Sequence, residues 1–126
     1  MDWNIPLWIL HAVTALAFLG AGYSHSVGYE RSIAIPRMMW MKALPVNFIR
    51  AIGILTIAGA IGLFLPAVSG VAPWLTPLAA LMLALLMACA IVFHFTRREF
   101  PHIAFNTILG VVAAAIAYGR FAISPF

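Results

Sequence analysis

Four apolar runs divide the chain, at about 6–27, 48–65, 73–95 and 102–121, and charged residues gather almost wholly between them. Each run is close to the roughly 20 residues that an α-helix needs to cross about 30 Å of hydrocarbon. A helix satisfies its own backbone groups where no water is available, and none of the runs shows the two-residue alternation of a lipid-facing barrel strand. The pattern predicts an all-α protein: an integral membrane four-helix bundle, one membrane domain over 1–126. Proline supports the limits. Pro66 is expected to end the second helix, Pro73 and Pro77 open the third, Pro6 opens the first, and Pro101 suits the first turn of the fourth. The stretch before the first run carries Asp2 and no Lys or Arg, and the run is longer than the apolar part of an ordinary leader, so it is read as a helix and not as a cleaved signal.

Composition sharpens this reading. Of 126 residues, 65% are hydrophobic and 8% charged, whereas soluble domains are about 25% charged. The pI near 10 does not point to nucleic acid, because the basic residues punctuate apolar runs instead of covering a polar face. Arg31, Arg37, Lys42 and Arg50 lie at the first connection, Arg97 and Arg98 at the third, and only Arg120 lies toward the other side. Cytoplasmic loops carry the excess of Lys and Arg. The expectation is therefore a multi-pass protein of the plasma (inner) membrane, both termini extracytoplasmic. In the connection 29–47, Pro36 is expected to start a short helix lying in the interface, with Trp40 as an anchor at headgroup depth. Small residues four apart, such as Gly20 with Ser24, Ala58 with Gly62 and Ala115 with Gly119, predict close helix approaches.

Few residues carry chemistry. The single cysteine, Cys89, rules out a CxxC dithiol and reads as a small buried residue. Thr14, Thr56 and Thr107 are expected to bond back to their own helices, and His11 to be a satisfied helix-contact histidine. Richer chemistry gathers at the basic end, where His25, His94 and His102 all project from helix ends beside Tyr29, Glu30, Arg50 and Asn106. Three imidazoles at one level can ligate a metal, two can clamp a haem iron, and one can act as acid or base toward a quinone headgroup. No HxxxH spacing supports a metal, so none is assigned. Arg50 either reaches the phosphate layer, pairs with Glu30 or Glu99, or clamps an anionic headgroup. The candidate binding set is His25, Arg50, His94, His102 and Asn106.

The segments "FIRAIGILTIAGAIGLFLP", "PWLTPLAA", His94 followed by "RRE", and "NTILGVVAAAIAYGRF" together resemble the DoxX-like family of small four-helix membrane proteins. The family is named for a subunit of a thiosulfate:quinone oxidoreductase, and the resemblance implies the fold more than an activity. It picks out Arg50, His94, Asn106, Tyr118 and Arg120. Members commonly carry a glutamate where this chain has Thr56, and a relative used in methylamine dehydrogenase maturation depends on thiols that the lone Cys89 cannot supply. The resulting expectation is a non-catalytic or accessory component of a membrane redox, quinone-linked system that binds a lipophilic molecule near the cytoplasmic face, with quinone or haem as the candidate cofactors. It would contact the lipid bilayer, and a soluble redox partner at the cytoplasmic loops or further copies of itself. The alternatives are an oligomeric small-solute transporter or channel, disfavoured for proton-coupled export by the missing membrane carboxylate, and a docking subunit for a soluble enzyme.

Overall fold

The computed structural model describes residues 2–126, which contain helices and no strand. Helix α1 spans Asn4–His25, the short α2 Tyr29–Ser32, α3 Val46–Ser69, α4 Leu75–Thr96 and α5 Phe100–Tyr118, the last continued by a π-turn over Gly119–Ile123. A 3₁₀ segment, Pro36–Ala43, lies between α2 and α3. Four of these helices are long and apolar enough to cross a membrane. Consecutive long helices pack side by side, and α1 touches α5 only lightly. The bundle therefore has a terminal end, with the starts of α1 and α4, and a loop end, with the starts of α3 and α5.

Helix α1 shows why the assembly belongs in lipid. Ile5, Ile9, Val13 and Leu16 face outward, while His11 and Thr14 are buried with Leu7, Ala15 and Phe18. A helix that shows branched aliphatics outside and hides its polar groups is arranged for a hydrocarbon solvent. The core is built of Phe18, Leu63, Leu83, Leu109 and Ile116 around alanines.

Close approaches occur at glycines, though not all where the spacing predicts. A Cβ on Gly20 would meet nothing within 4 Å, whereas one on Gly53 would lie 2.8 Å from the Gly22 carbonyl oxygen. The α1–α3 crossing thus uses Gly22, two residues from the expected row, because the helix turns Gly20 toward the lipid side. Gly62, by contrast, does meet a partner, the Ala79 side chain of α4.

Pro66 does not end α3, which runs one turn further to Ser69 and closes at Gly70 in the left-handed conformation (φ 74°). Proline lacks the N–H that would bond the Gly62 carbonyl. The buried Thr76 hydroxyl of α4 donates to that oxygen instead, at 2.9 Å. One side chain thus repairs the helix break and ties α4 to α3. Pro101 does occupy the first turn of α5. Cys89 is exposed on the outer face of α4, not buried.

Candidate functional site

The loop end is assembled from four separate stretches of chain. His94 lies in the last turn of α4, His102 in the first turn of α5, and His25 ends α1. The 3₁₀ segment folds back under them. Its Met41 is fully buried with Tyr29 and Ile49 in a small second core. That anchorage turns the neighbouring Trp40 into the bundle, between the histidines. The Trp40 ring lies 5.4 Å from His25, 4.6 Å from His94 and 5.9 Å from His102, centroid to centroid. His94 and His102 stack face to face at 4.8 Å, their planes 17° apart. The expected helix at Pro36 is present, but Trp40 is the hub of a ring cluster where sequence reasoning saw a headgroup anchor.

Each histidine has one nitrogen committed. His94 Nδ1 donates to Glu99 Oε1 at 3.0 Å, His102 Nε2 to the Arg37 carbonyl at 2.8 Å, and His25 Nδ1 to the Ala21 carbonyl at 2.6 Å. The other nitrogen of each ring has no hydrogen-bond partner among the described residues, so in the neutral form it is a spare acceptor. The buried Trp40 Nε1 is a donor with no partner. The end of α4 explains how Glu99 gets there. Glu99 N–H bonds the His94 carbonyl and Arg98 N–H that of Phe95, with Arg98 left-handed at φ 56°. This is a Schellman closure with arginine where glycine is usual. It folds Glu99 back onto His94 and Arg97, whose Nε donates to the same oxygen at 3.0 Å. Burial would raise the Glu99 pKa, but hydrogen bonds from His94 and Arg97, with the charge of Arg97, win and hold it below the usual carboxylate range.

The other two candidates stand apart. Arg50 pairs with Glu30 at 3.4 Å and lies over the Tyr29 ring, and Glu99 goes to His94 and Arg97 instead. Asn106 is half-buried one turn beyond His102, on the same face of α5. No group of three His, Cys, Asp or Glu among the described residues is placed to hold a metal ion. The stacked pair does not fit a haem clamp either. Imidazole lone pairs lie in the ring planes, so two stacked rings do not aim them at one shared iron.

A second polar cluster, at the terminal end, joins residues 109 apart in sequence. His11 is fully buried and has both nitrogens engaged: Nδ1 donates to the Leu63 carbonyl at 2.7 Å, and Nε2 accepts from Arg120 Nε at 3.0 Å. Arg120, 2% exposed, also donates from Nη1 to Asn4 Oδ1 and the Ser124 carbonyl, and its guanidinium lies 4.1 Å from the Phe126 ring centroid. Of the threonines, Thr56 and Thr107 bond back to Ile52 and Ile103 as expected. Thr14 does not, and its buried hydroxyl has no partner.

The model of the DoxX-like family matches residues 9–116. The chain belongs to the DoxX-like family. The match reaches all four long helices and takes in the residues of both clusters except Asn4, Arg120, Ser124 and Phe126. Neither a curated protein nor a solved structure matches the chain.

Proposed function

We propose that this DoxX-like membrane protein holds the polar head of a lipophilic, quinone-like molecule at its loop end, as an accessory component of a membrane redox system. The observation that carries the reading is the set of spare hydrogen-bonding groups around Trp40. Neutral His25, His94 and His102 each keep one acceptor nitrogen, and Trp40 Nε1 keeps one donor. Acceptors suit the hydroxyls of a reduced ring and the donor suits the carbonyl of an oxidised one, so the cluster can bind either form. Such a molecule carries electrons and protons together. The chain's own part is to hold the ring by stacking and to pass a proton: His94 sits between the site and the Glu99 carboxylate, which is 21% exposed. Asn106 borders the site, and Arg50, paired with Glu30, stands at its rim. The six Lys and Arg at this end against one at the other favour the cytoplasmic side of a plasma (inner) membrane.

Quenching of tryptophan fluorescence by a short-chain benzoquinone added to the detergent-purified protein is the test. Saturable quenching is expected in the wild type, cut at least tenfold in His94→Gln with His102→Gln, and lost from Trp40→Phe. Equal quenching in all three proteins overturns the reading. So do sharp visible bands in the dithionite-reduced minus oxidised spectrum, which would make haem the ligand.

A further inference from the structure

The cluster at the terminal end binds, we infer, a phosphate or carboxylate oxyanion through the buried guanidinium of Arg120. An arginine near the end of a membrane helix ordinarily extends its side chain to water. Arg120 does the reverse: it is 2% exposed and turned inward against His11. Its pairing is incomplete. Its acceptors are His11 Nε2, Asn4 Oδ1 and the Ser124 carbonyl, all neutral. Among the described residues no carboxylate lies within ion-pair distance of it; the three ion pairs all belong to the loop end. Guanidinium cannot shed its charge, and Nη2 is buried with no hydrogen-bond partner. A buried, unpaired charge is costly, and such groups within membrane helices mark ligand sites.

Local architecture supports a built site. His11 is oriented by the Leu63 carbonyl so that its Nε2 accepts, which fixes one edge of the guanidinium. Ser124 N–H bonds the Gly119 carbonyl at 2.7 Å, which widens the last turn of α5 into a π-turn and lets the Ser124 carbonyl meet Nη1. π-turns recur at functional sites. The position also suits an anion arriving from the membrane surface. Asn4 and Phe126 are exposed, and the Phe126 ring forms the outer cover of the guanidinium. The two unmet N–H groups on Nη2 can each donate a charge-assisted hydrogen bond to an oxygen of a carboxylate or of a phosphate. The loop end already pairs its carboxylates, so this site differs from the proposed headgroup site in both place and charge.

The test titrates the full-length protein in neutral detergent with inorganic phosphate and, separately, with phosphatidylglycerol or phosphatidylcholine, following the thermal midpoint. Mass action predicts a rise of roughly 5 °C or more when the ligand exceeds its Kd about a hundredfold. A rise with phosphate identifies a free anion as sufficient, and a rise with phosphatidylglycerol alone identifies a lipid headgroup. Phosphatidylcholine should do neither. Arg120→Lys keeps a charge but cannot hold His11 and Asn4 while offering Nη2, and should weaken binding at least tenfold, and Arg120→Gln should abolish the rise. If Arg120→Gln fails to fold, the wild-type and Arg120→Lys titrations decide. No rise in the wild type, or an equal rise in Arg120→Lys, overturns the proposal, the latter by placing the anion on the basic loops. It is also overturned if Asp2→Asn lowers the unliganded midpoint as far as Arg120→Gln does, because Asp2 is then the counter-ion.

Discussion

The two ends of the bundle are built from the same kinds of residue and balanced in opposite ways. Each brings imidazole, arginine and aromatic rings together from distant parts of the chain. At the terminal end His11 uses both nitrogens, and the surplus is a donor, Nη2 of Arg120. At the loop end two arginines have carboxylates, Arg97 with Glu99 and Arg50 with Glu30, and the surplus is three acceptor nitrogens beside two donors, Trp40 Nε1 and Arg50 Nε. One end lacks negative charge and the other has hydrogen-bond capacity to lend. The difference teaches that residue type does not set the chemistry of a site; what remains unpaired after folding does.

The largest effect should come from breaking the terminal cluster. His11→Leu leaves Arg120 Nε buried without a partner and removes the ring's bond to the Leu63 carbonyl, and should destabilise the fold by about 3–5 kcal/mol. Denaturant titration of the purified protein measures it. Adding Arg120→Met removes the stranded charge, so the double variant should recover more than half of that loss. A double variant no more stable than His11→Leu would show that His11 acts by packing alone, and the contrast between the ends would lose its electrostatic basis.

That network also marks where the sequence stops being readable. The four helices are legible because an apolar run of membrane length has few alternatives. The meeting of His25, His94 and His102 is legible too, because helix ends on one side of a small bundle must be neighbours. Trp40 was not, because a 3₁₀ segment shows no apolar period that tells which way its rings turn. For Arg120 the resemblance marks the position but nothing in the sequence marks its burial, which only its contact with His11, 109 residues away, reveals. Pro66 misled for a related reason. The helix break that proline causes is repaired by Thr76, from a different helix.

A second variant asks whether the loop-end cluster depends on helix crossing. Gly53 lies beside Gly22, one turn before His25, and its added Cβ would meet Ser26 N and the Gly22 carbonyl at 2.8 Å. Both neighbours are backbone and cannot swing away, so Gly53→Ala should cost about 1–3 kcal/mol. Pushing α1 from α3 should also move His25 away from Trp40, visible as a change in tryptophan emission. Unchanged emission alongside the lost stability would mean that the 3₁₀ segment, not the crossing, positions the cluster.

Glu99 supplies a smaller and pH-dependent effect. Its folded pKa is depressed, so its pairing stabilises the protein above the ordinary carboxylate range and is lost as pH falls through the lower folded value. Glu99→Gln should cost about 0.5–1 kcal/mol at neutral pH and nothing at strongly acid pH. Thermal midpoints of wild type and variant should therefore converge on acidification. Parallel curves would mean that the loop end owes nothing to the ionised form of Glu99.

The smallest effect separates backbone from side chain at the two ends. Arg98 at the loop end and Ala72 at the terminal end both hold positive φ, 56° and 49°. An L-residue with a Cβ is strained there by roughly 1 kcal/mol, whereas glycine is not. Glycine also has more freedom to lose on folding, which offsets part of the relief. Ala72→Gly, which removes only a methyl group, should gain about 0.5 kcal/mol, and Arg98→Gly should gain as much if its side chain contributes nothing. Chemical denaturation of both variants gives the comparison. An Arg98→Gly variant that gains less than Ala72→Gly assigns the shortfall to the Arg98 side chain at the membrane surface. An equal gain assigns the Schellman closure alone the task of bringing Glu99 to His94, and leaves Arg98 as one more positive charge on the loop.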